Sequence, residues 1–226
     1  MASRRFKENT EKLDSSKVYG VKDAMQTLKG LRPAKFDETV EVVARLGVDP
    51  KKSDQMVRGA VSLPHGLGKD VRVIVFAEGD AADAAREAGA LEVGGDELGD
   101  KVAKGWTDFD IVIAHPAMMR VVGKLGRTLG PQGKMPSPKS GTVTPNVAQA
   151  TKEFKAGKVE FRVDSGGNIH VPVGKLSFSA EQLEDNARTF LDFVVGLRPP
   201  SAKGTYMRNV CVSSSMGPGL RIDYAH

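Results

Sequence analysis

The residues best suited to chemistry lie at positions 123–139. Four glycines, three prolines and four bases (Lys124, Arg127, Lys134 and Lys139) share 17 residues there with no acid. Glycine lets a backbone approach a phosphate closely with its N–H groups exposed, and the basic side chains add charge, so the stretch reads as a polyanion-binding loop. The competing reading is a solvated surface loop with ordinary turn chemistry. A nucleotide-hydrolysing loop fails on spacing. It requires G-x-x-x-x-G-K followed by Ser or Thr, but Met135 follows Gly133-Lys134, and Thr128 stands where the first glycine belongs. The dinucleotide signature G-x-G-x-x-G is also missing. After the apolar run ending at Phe76 comes Ala77-Glu78-Gly79-Asp80, where two acids would repel a pyrophosphate.

Two further segments have the residue types of a nucleic-acid contact. Lys35 and Phe36, just before Thr39, place a base and an aromatic ring together. Such a pair suits a sugar-phosphate backbone and stacks on a base or ribose; Phe36 as a core residue fits the local sequence equally. Ser213, Ser214 and Ser215 lead into Met216-Gly217-Pro218-Gly219. Small side chains allow close approach, and hydroxyls suit the 2′-OH groups of an RNA minor groove; a plain loop is the alternative. Metal and triad chemistry find no support. His65, His115, His170 and His226 are scattered, without zinc-ligand spacing. Cys211, the single cysteine, lies between Val210 and Val212, which predicts a small buried thiol in a reducing compartment. The sequence therefore predicts no metal, no cofactor and no catalytic constellation. The rival class is a nucleotide-dependent α/β enzyme using the middle of the chain.

The elements that must position these residues follow from periodicity. Val21, Ala24, Met25 and Leu28 recur at helical spacing, and Pro33 stops that helix after a basic, frayed N-terminus. Val40, Val42, Ala44, Leu46 and Val48 alternate on one face of a strand over 39–48. Another strand is expected at 56–63. Strands at 71–76, 91–93 and 109–114 then alternate with helices at 81–88, 98–106 and 118–129, which predicts a parallel α/β unit. A helix over 144–156 is predicted to start with Thr144 as N-cap and Pro145 as its first residue, and to stop at Gly157. Strands at 158–163 and 168–173 flank Asp164, Ser165, Gly166 and Gly167 and read as a hairpin. Ser179-Ala180-Glu181-Gln182 is a capping box opening a helix that ends before Pro199-Pro200. Two final strands follow at 205–215 and 220–224. The ends share an antiparallel α+β character, so the expected fold class is α/β in two domains. A discontinuous domain, 1–67 with 158–226, holds an insert at 68–157, and two chain crossings make a natural hinge.

The net charge of +5 over 226 residues permits a polyanionic partner without requiring one. Distribution is more informative: positions 120–158 hold eight bases and one acid, whereas 76–110 hold ten acids and three bases. The apolar runs are too short to span a bilayer, and the first ten residues lack the apolar core of a secretory signal. A cytoplasmic location and no membrane partner are expected.

Together, residues 33–42 (PAKFDETVEV), 61–66 (VSLPHG), 123–136 (GKLGRTLGPQGKMP), 202–205 (AKGT) and 214–218 (SSMGP) resemble the L-one family of large-subunit ribosomal proteins, in order along nearly the whole chain. The resemblance implies a split RNA-binding domain carrying an inserted Rossmann-like domain, in a protein that is a monomer when free. It implies binding to large-subunit rRNA at the mobile stalk near the tRNA exit site, help in releasing deacylated tRNA, and translational repression through the protein's own operon mRNA. The rRNA contacts it implies are Lys35, Phe36, Thr39, Asp164, Ser165, Gly166, His170, Ser213, Ser215, Met216 and Gly217. Lys124, Arg127, Lys134 and Lys139 become a secondary RNA or tRNA contact. Two positions depart from the family pattern. Ser215 replaces a threonine, keeping the hydroxyl and losing a methyl, and Ser165 stands where a lysine often follows the aspartate.

Overall fold

The computed structural model describes residues 3–14 and 17–224. Its elements in chain order are α1 (Arg4–Glu11), β1 (Val18–Tyr19), α2 (Val21–Gly30), β2 (Thr39–Leu46), β3 (Arg58–Ser62), β4 (Val73–Phe76), α3 (Asp80–Glu87), β5 (Glu92–Gly94), α4 (Asp96–Ala103), β6 (Ile111–Ala114), α5 (Met119–Lys124), α6 (Gly126–Leu129), α7 (Val147–Ala156), β7 (Lys158–Arg162), β8 (Asn168–Lys175), α8 (Ala180–Gly196), β9 (Met207–Ser214) and β10 (Leu220–Ile222). The chain divides into two units, Met1–Gly68 with Phe161–His226, and Lys69–Glu160, so the division falls inside β7.

In the first unit the alternating segment becomes β2, flanked antiparallel by β8 and β9 in a five-stranded sheet of order β1-β10-β9-β2-β8. Val40, Val42, Ala44 and Leu46 turn to the core and meet Ile169, Val171, Val173, Val210 and Val212 from the neighbouring strands. Helices α2 and α8 pack together on this face, as the i, i+3, i+4 spacing of their apolar residues demands. The α8 start is the expected capping box. Ser179 Oγ accepts from the Gln182 N–H, and the Gln182 side chain accepts from the Ser179 N–H. Phe190 of α8 packs edge-on against Phe161 at 5.6 Å between centroids. The other face of β2, β8 and β9 presents Glu41, Val43, Arg45, His170, Pro172, Cys211 and Ser213, all half-buried or exposed.

The second unit is built on three parallel strands in the order β5-β4-β6. All four residues of β4 are buried, as a strand covered on both faces requires. One face packs Val73, Val75 and Ile113 against Ala82 and Ala85 of α3 and Ala150 and Phe154 of α7. The other packs Ile74, Phe76 and Val112 against Leu98 and Val102 of α4, Val121 and Val122 of α5, and Leu129 of α6.

Four expectations need correction. The N-terminal segment is not frayed, for residues 4–11 form α1, capped by Ser3 Oγ on the Phe6 N–H. Asn9, 1% exposed, exchanges hydrogen bonds with the Arg32 peptide and docks that helix. Strands β7 and β8 do not form a hairpin: β7 pairs with β3 in a separate two-stranded sheet, and residues 164–167 carry the chain from one sheet to the other. Alternation specifies which face of a strand is buried, not its partner. The 144–156 helix starts later, with Asn146 rather than Thr144 as N-cap, because the Thr144 hydroxyl accepts from the Asn146 N–H instead. The predicted 118–129 helix is broken into α5 and α6 around Leu125.

One buried polar residue stands out. Asn186 of α8 is fully buried; its Nδ2 donates to the Val173 and Gly66 carbonyls and its Oδ1 accepts from the His65 N–H. It ties the segment after β3 to α8 and β8. Truncation orphans three backbone groups, each costly to leave unmet. We therefore expect Asn186→Ala to destabilise the first unit by about 2–3 kcal/mol, read as a lowered urea midpoint of a circular-dichroism transition.

Candidate nucleic-acid interface

Among the described residues of the first unit, Phe36 and Met216 are the two most exposed large apolar side chains, at 55% and 54%. That excludes Phe36 as a core residue. Both sit on short loops at the start of β2 and the end of β9, which pair antiparallel, so the register brings the loops side by side. Thr39 and Ser215 join them directly: the Thr39 N–H donates to Ser215 Oγ at 3.1 Å, and the Ser215 N–H donates to the Thr39 carbonyl at 3.0 Å. Lys175 Nζ donates to the Thr39 hydroxyl at 2.8 Å, which leaves that hydroxyl's own proton to donate outward. Lys35 is exposed beside Phe36. Gly217 closes the second loop, where an added Cβ would lie 2.4 Å from Ser214 Oγ.

Between the two loops lies Glu38, 1% exposed. Its Oε1 accepts from the Ala34 N–H at 2.6 Å and from Arg5 Nη1 at 3.2 Å, and its Oε2 accepts from Ser214 Oγ at 2.6 Å and from the Met216 N–H at 3.0 Å. Burial opposes its ionisation, but the Ser214 hydroxyl, the two N–H groups and the Arg5 charge together outweigh that effect and hold the carboxyl below the ordinary glutamate range. Arg5 Nη2 also donates to the Met216 carbonyl at 2.9 Å. Sequence reasoning missed Glu38, Arg5 and Lys175. The signal available for Glu38 was a charge directly preceding an alternating strand, in phase with its buried residues.

The remaining first-unit candidates lie further along the same sheet. His170 stands opposite Val43, and the 164–167 turn leads into Asn168, opposite Arg45. Six residues of strand separate that turn from Thr39, about 20 Å. Asp164 organises it: Oδ1 accepts from the N–H groups of Asn168 at 2.7 Å and Gly166 at 2.8 Å. Its carboxyl is held below the ordinary aspartate range, chiefly by the Asn168 N–H. His170 Nε2 lies 3.7 Å from Asp164 Oδ2. Ser165 and Gly166 are exposed at the tip. Gly167 has φ +81° and crowds the Leu46 carbonyl, so it is the position where the turn requires glycine.

The basic loop belongs to the second unit. Lys124, Arg127 and Lys139 are exposed and their side chains have no ion-pair partner among the described residues. Lys134 differs. Its ammonium donates to the Phe109 carbonyl at 2.7 Å and the Thr107 carbonyl at 3.0 Å, and lies 4.8 Å from the Phe109 ring centroid. That charge is engaged inside the unit. Among the described residues no cluster of histidine, cysteine and carboxylate side chains could hold a metal, and no helix is long and apolar enough to cross a membrane. His226 lies outside the described residues.

The model of the Ribosomal protein L1p/L10e family matches residues 28–218. Two similar curated proteins are each named large ribosomal subunit protein uL1. The one from Protochlamydia amoebophila (strain UWE25) is 55% identical over 98% of this chain and 94% of its own. The one from Nocardioides sp. (strain ATCC BAA-499 / JS614) is 55% identical over 98% of this chain and 92% of its own.

The Glu38 geometry makes a pH prediction. A carboxyl held below its unfolded value contributes stability that is present above that value and is lost as pH falls through the folded one. Wild-type protein should therefore lose stability as pH drops below about 4. Glu38→Gln should be less stable at neutral pH and lack this part of the acid slope. Urea midpoints measured across that range check both.

Proposed function

The chain belongs to the Ribosomal protein L1p/L10e family, and on that premise we propose that it is a structural constituent of the large ribosomal subunit, not an enzyme, which binds large-subunit rRNA in the cytoplasmic ribosome. The rRNA site is the outward face of the first unit, with Lys35, Phe36, Thr39, Ser213, Ser215, Met216 and Gly217 at one end and Asp164, Ser165, Gly166 and His170 towards the other. One observation carries this assignment: two large apolar side chains stand exposed on interlocked loops, beside a lysine and a row of hydroxyls. Water disfavours that display unless a partner covers it, and an unstacked base or ribose with its 2′-OH matches its chemistry.

In this reading the first unit is a split RNA-binding domain and the second an inserted Rossmann-like domain. The rRNA bound is the mobile stalk near the tRNA exit site. Lys124, Arg127 and Lys139 of the insert provide a second contact for rRNA or for deacylated tRNA, whose release the protein assists. Repression of its own operon mRNA would use the same face of the first unit on a similar RNA structure. The free protein is a monomer.

Binding of a stalk rRNA fragment, followed by filter retention or fluorescence anisotropy, tests the assignment. Phe36→Ala should weaken it by about 1–3 kcal/mol, the scale of one lost base–aromatic stack. Met216→Asp should cost a few kcal/mol, as for a lost interface anchor, roughly 2 or more. The logarithm of affinity should fall with the logarithm of salt by about 0.7–0.9 per phosphate neutralised. Unchanged affinity in both variants, or a flat salt response, would sink the proposal.

A further inference from the structure

Met216 lies beyond the end of β9 and Ala34 precedes β2, so no strand ladder holds either loop. Both polar groups of Met216's own backbone go to the same ion pair: its N–H donates to Glu38 Oε2 at 3.0 Å, and its carbonyl accepts from Arg5 Nη2 at 2.9 Å. The two carboxylate oxygens divide their work. Oε1 faces the Phe36 loop through the Ala34 N–H, and Oε2 faces the Met216 loop through Ser214 and Met216. The Arg5 guanidinium adds a third segment by bonding the Arg32 carbonyl at 3.1 Å. An ion pair with one partner buried and the other largely so is a poor source of stability, because desolvation offsets much of the attraction. What it supplies is geometry: acceptors and donors at fixed positions between loops otherwise linked through Thr39 and Ser215.

We propose that Glu38 and Arg5 form a positioning pair for the RNA interface, gripping the Met216 peptide and the Ala34 N–H so that Met216 and Phe36 stand outward in a fixed arrangement. The pair needs no contact with RNA, and α1, which carries Arg5, becomes part of the site's framework. Glutamine cannot replace Glu38. Its amide NH2 would have to face Ala34's N–H on one side or Met216's N–H on the other, donor against donor, so one loop is released. The proposal rests on the RNA-binding function above, and its test separates the two.

The experiment uses the full-length chain with 13C-labelled methionine methyl groups. In Glu38→Gln the Met216 methyl should move toward its disordered position and sharpen, while the buried Met25 methyl keeps its native shift. Affinity for the stalk rRNA fragment should fall by at least about tenfold. In a Met216→Ala background the same substitution should cost much less, because residues acting through one another are not additive. An unmoved Met216 methyl in folded Glu38→Gln, or a fully additive cycle, would overturn the pair. If Glu38→Gln loses the native Met25 signal, Arg5→Gln is judged by the same two outcomes, since Arg5 is partly exposed and its loss leaves the sheet intact. Failure of the wild-type chain to bind the fragment would defeat the RNA function, and the Met216 methyl would still decide the positioning role.

Discussion

A single buried carboxylate at the entrance to β2 holds together the loops that carry Phe36 and Met216. Glu38 occupies a position in phase with Val40 and Val42, so its strand aims it inward, where an unpaired charge would be very costly. The surrounding chain answers with a hydroxyl, two peptide N–H groups and a guanidinium. Two of those donors, the Ala34 and Met216 N–H groups, come from residues outside the strand ladder, so satisfying the charge also fixes their peptides. Phe36 and Met216 stand exposed on those loops.

The rest of the first unit serves that arrangement. The sheet register places the two loops side by side, and the apolar face under α2 and α8 makes the register hard to slip. At the far end of the same strands Asp164 applies similar chemistry on a smaller scale, using its carboxylate to gather backbone N–H groups into a tight turn. Both ends of the face are thus shaped by carboxylates that accept inward. Lysine, histidine, hydroxyl and apolar groups stand on that face together with Glu41 and Arg45. The second unit handles charge differently. Its acids lie mainly on α3 and α4 and their flanks, and Arg120, Lys124 and Arg127 lie on α5 and α6, while Lys134 donates to the Thr107 and Phe109 carbonyls from within.

Much of this was determined by the sequence alone. Period-two alternation made β2, helical spacing and a capping box made α2 and α8, and strands alternating with helices made the parallel unit, because burial of one face is written locally in residue type. The long glycine, proline and lysine segment, with the shorter motifs, carried the family resemblance; Phe36 was legible as a contact candidate from residue type, and Met216 only through that resemblance. Tertiary structure alone decided the rest. It chose β3 rather than β8 as the partner of β7, turned an N-terminus that reads as frayed into a docked helix through Asn9 and Arg32, and gave the Lys134 ammonium a backbone carbonyl as partner. It also brought Arg5, Glu38 and Met216 together from opposite ends of the chain. Strand partners, docked helices and buried ion pairs depend on which distant groups arrive to satisfy a hydrogen bond or a charge, and no local pattern of residues records that meeting.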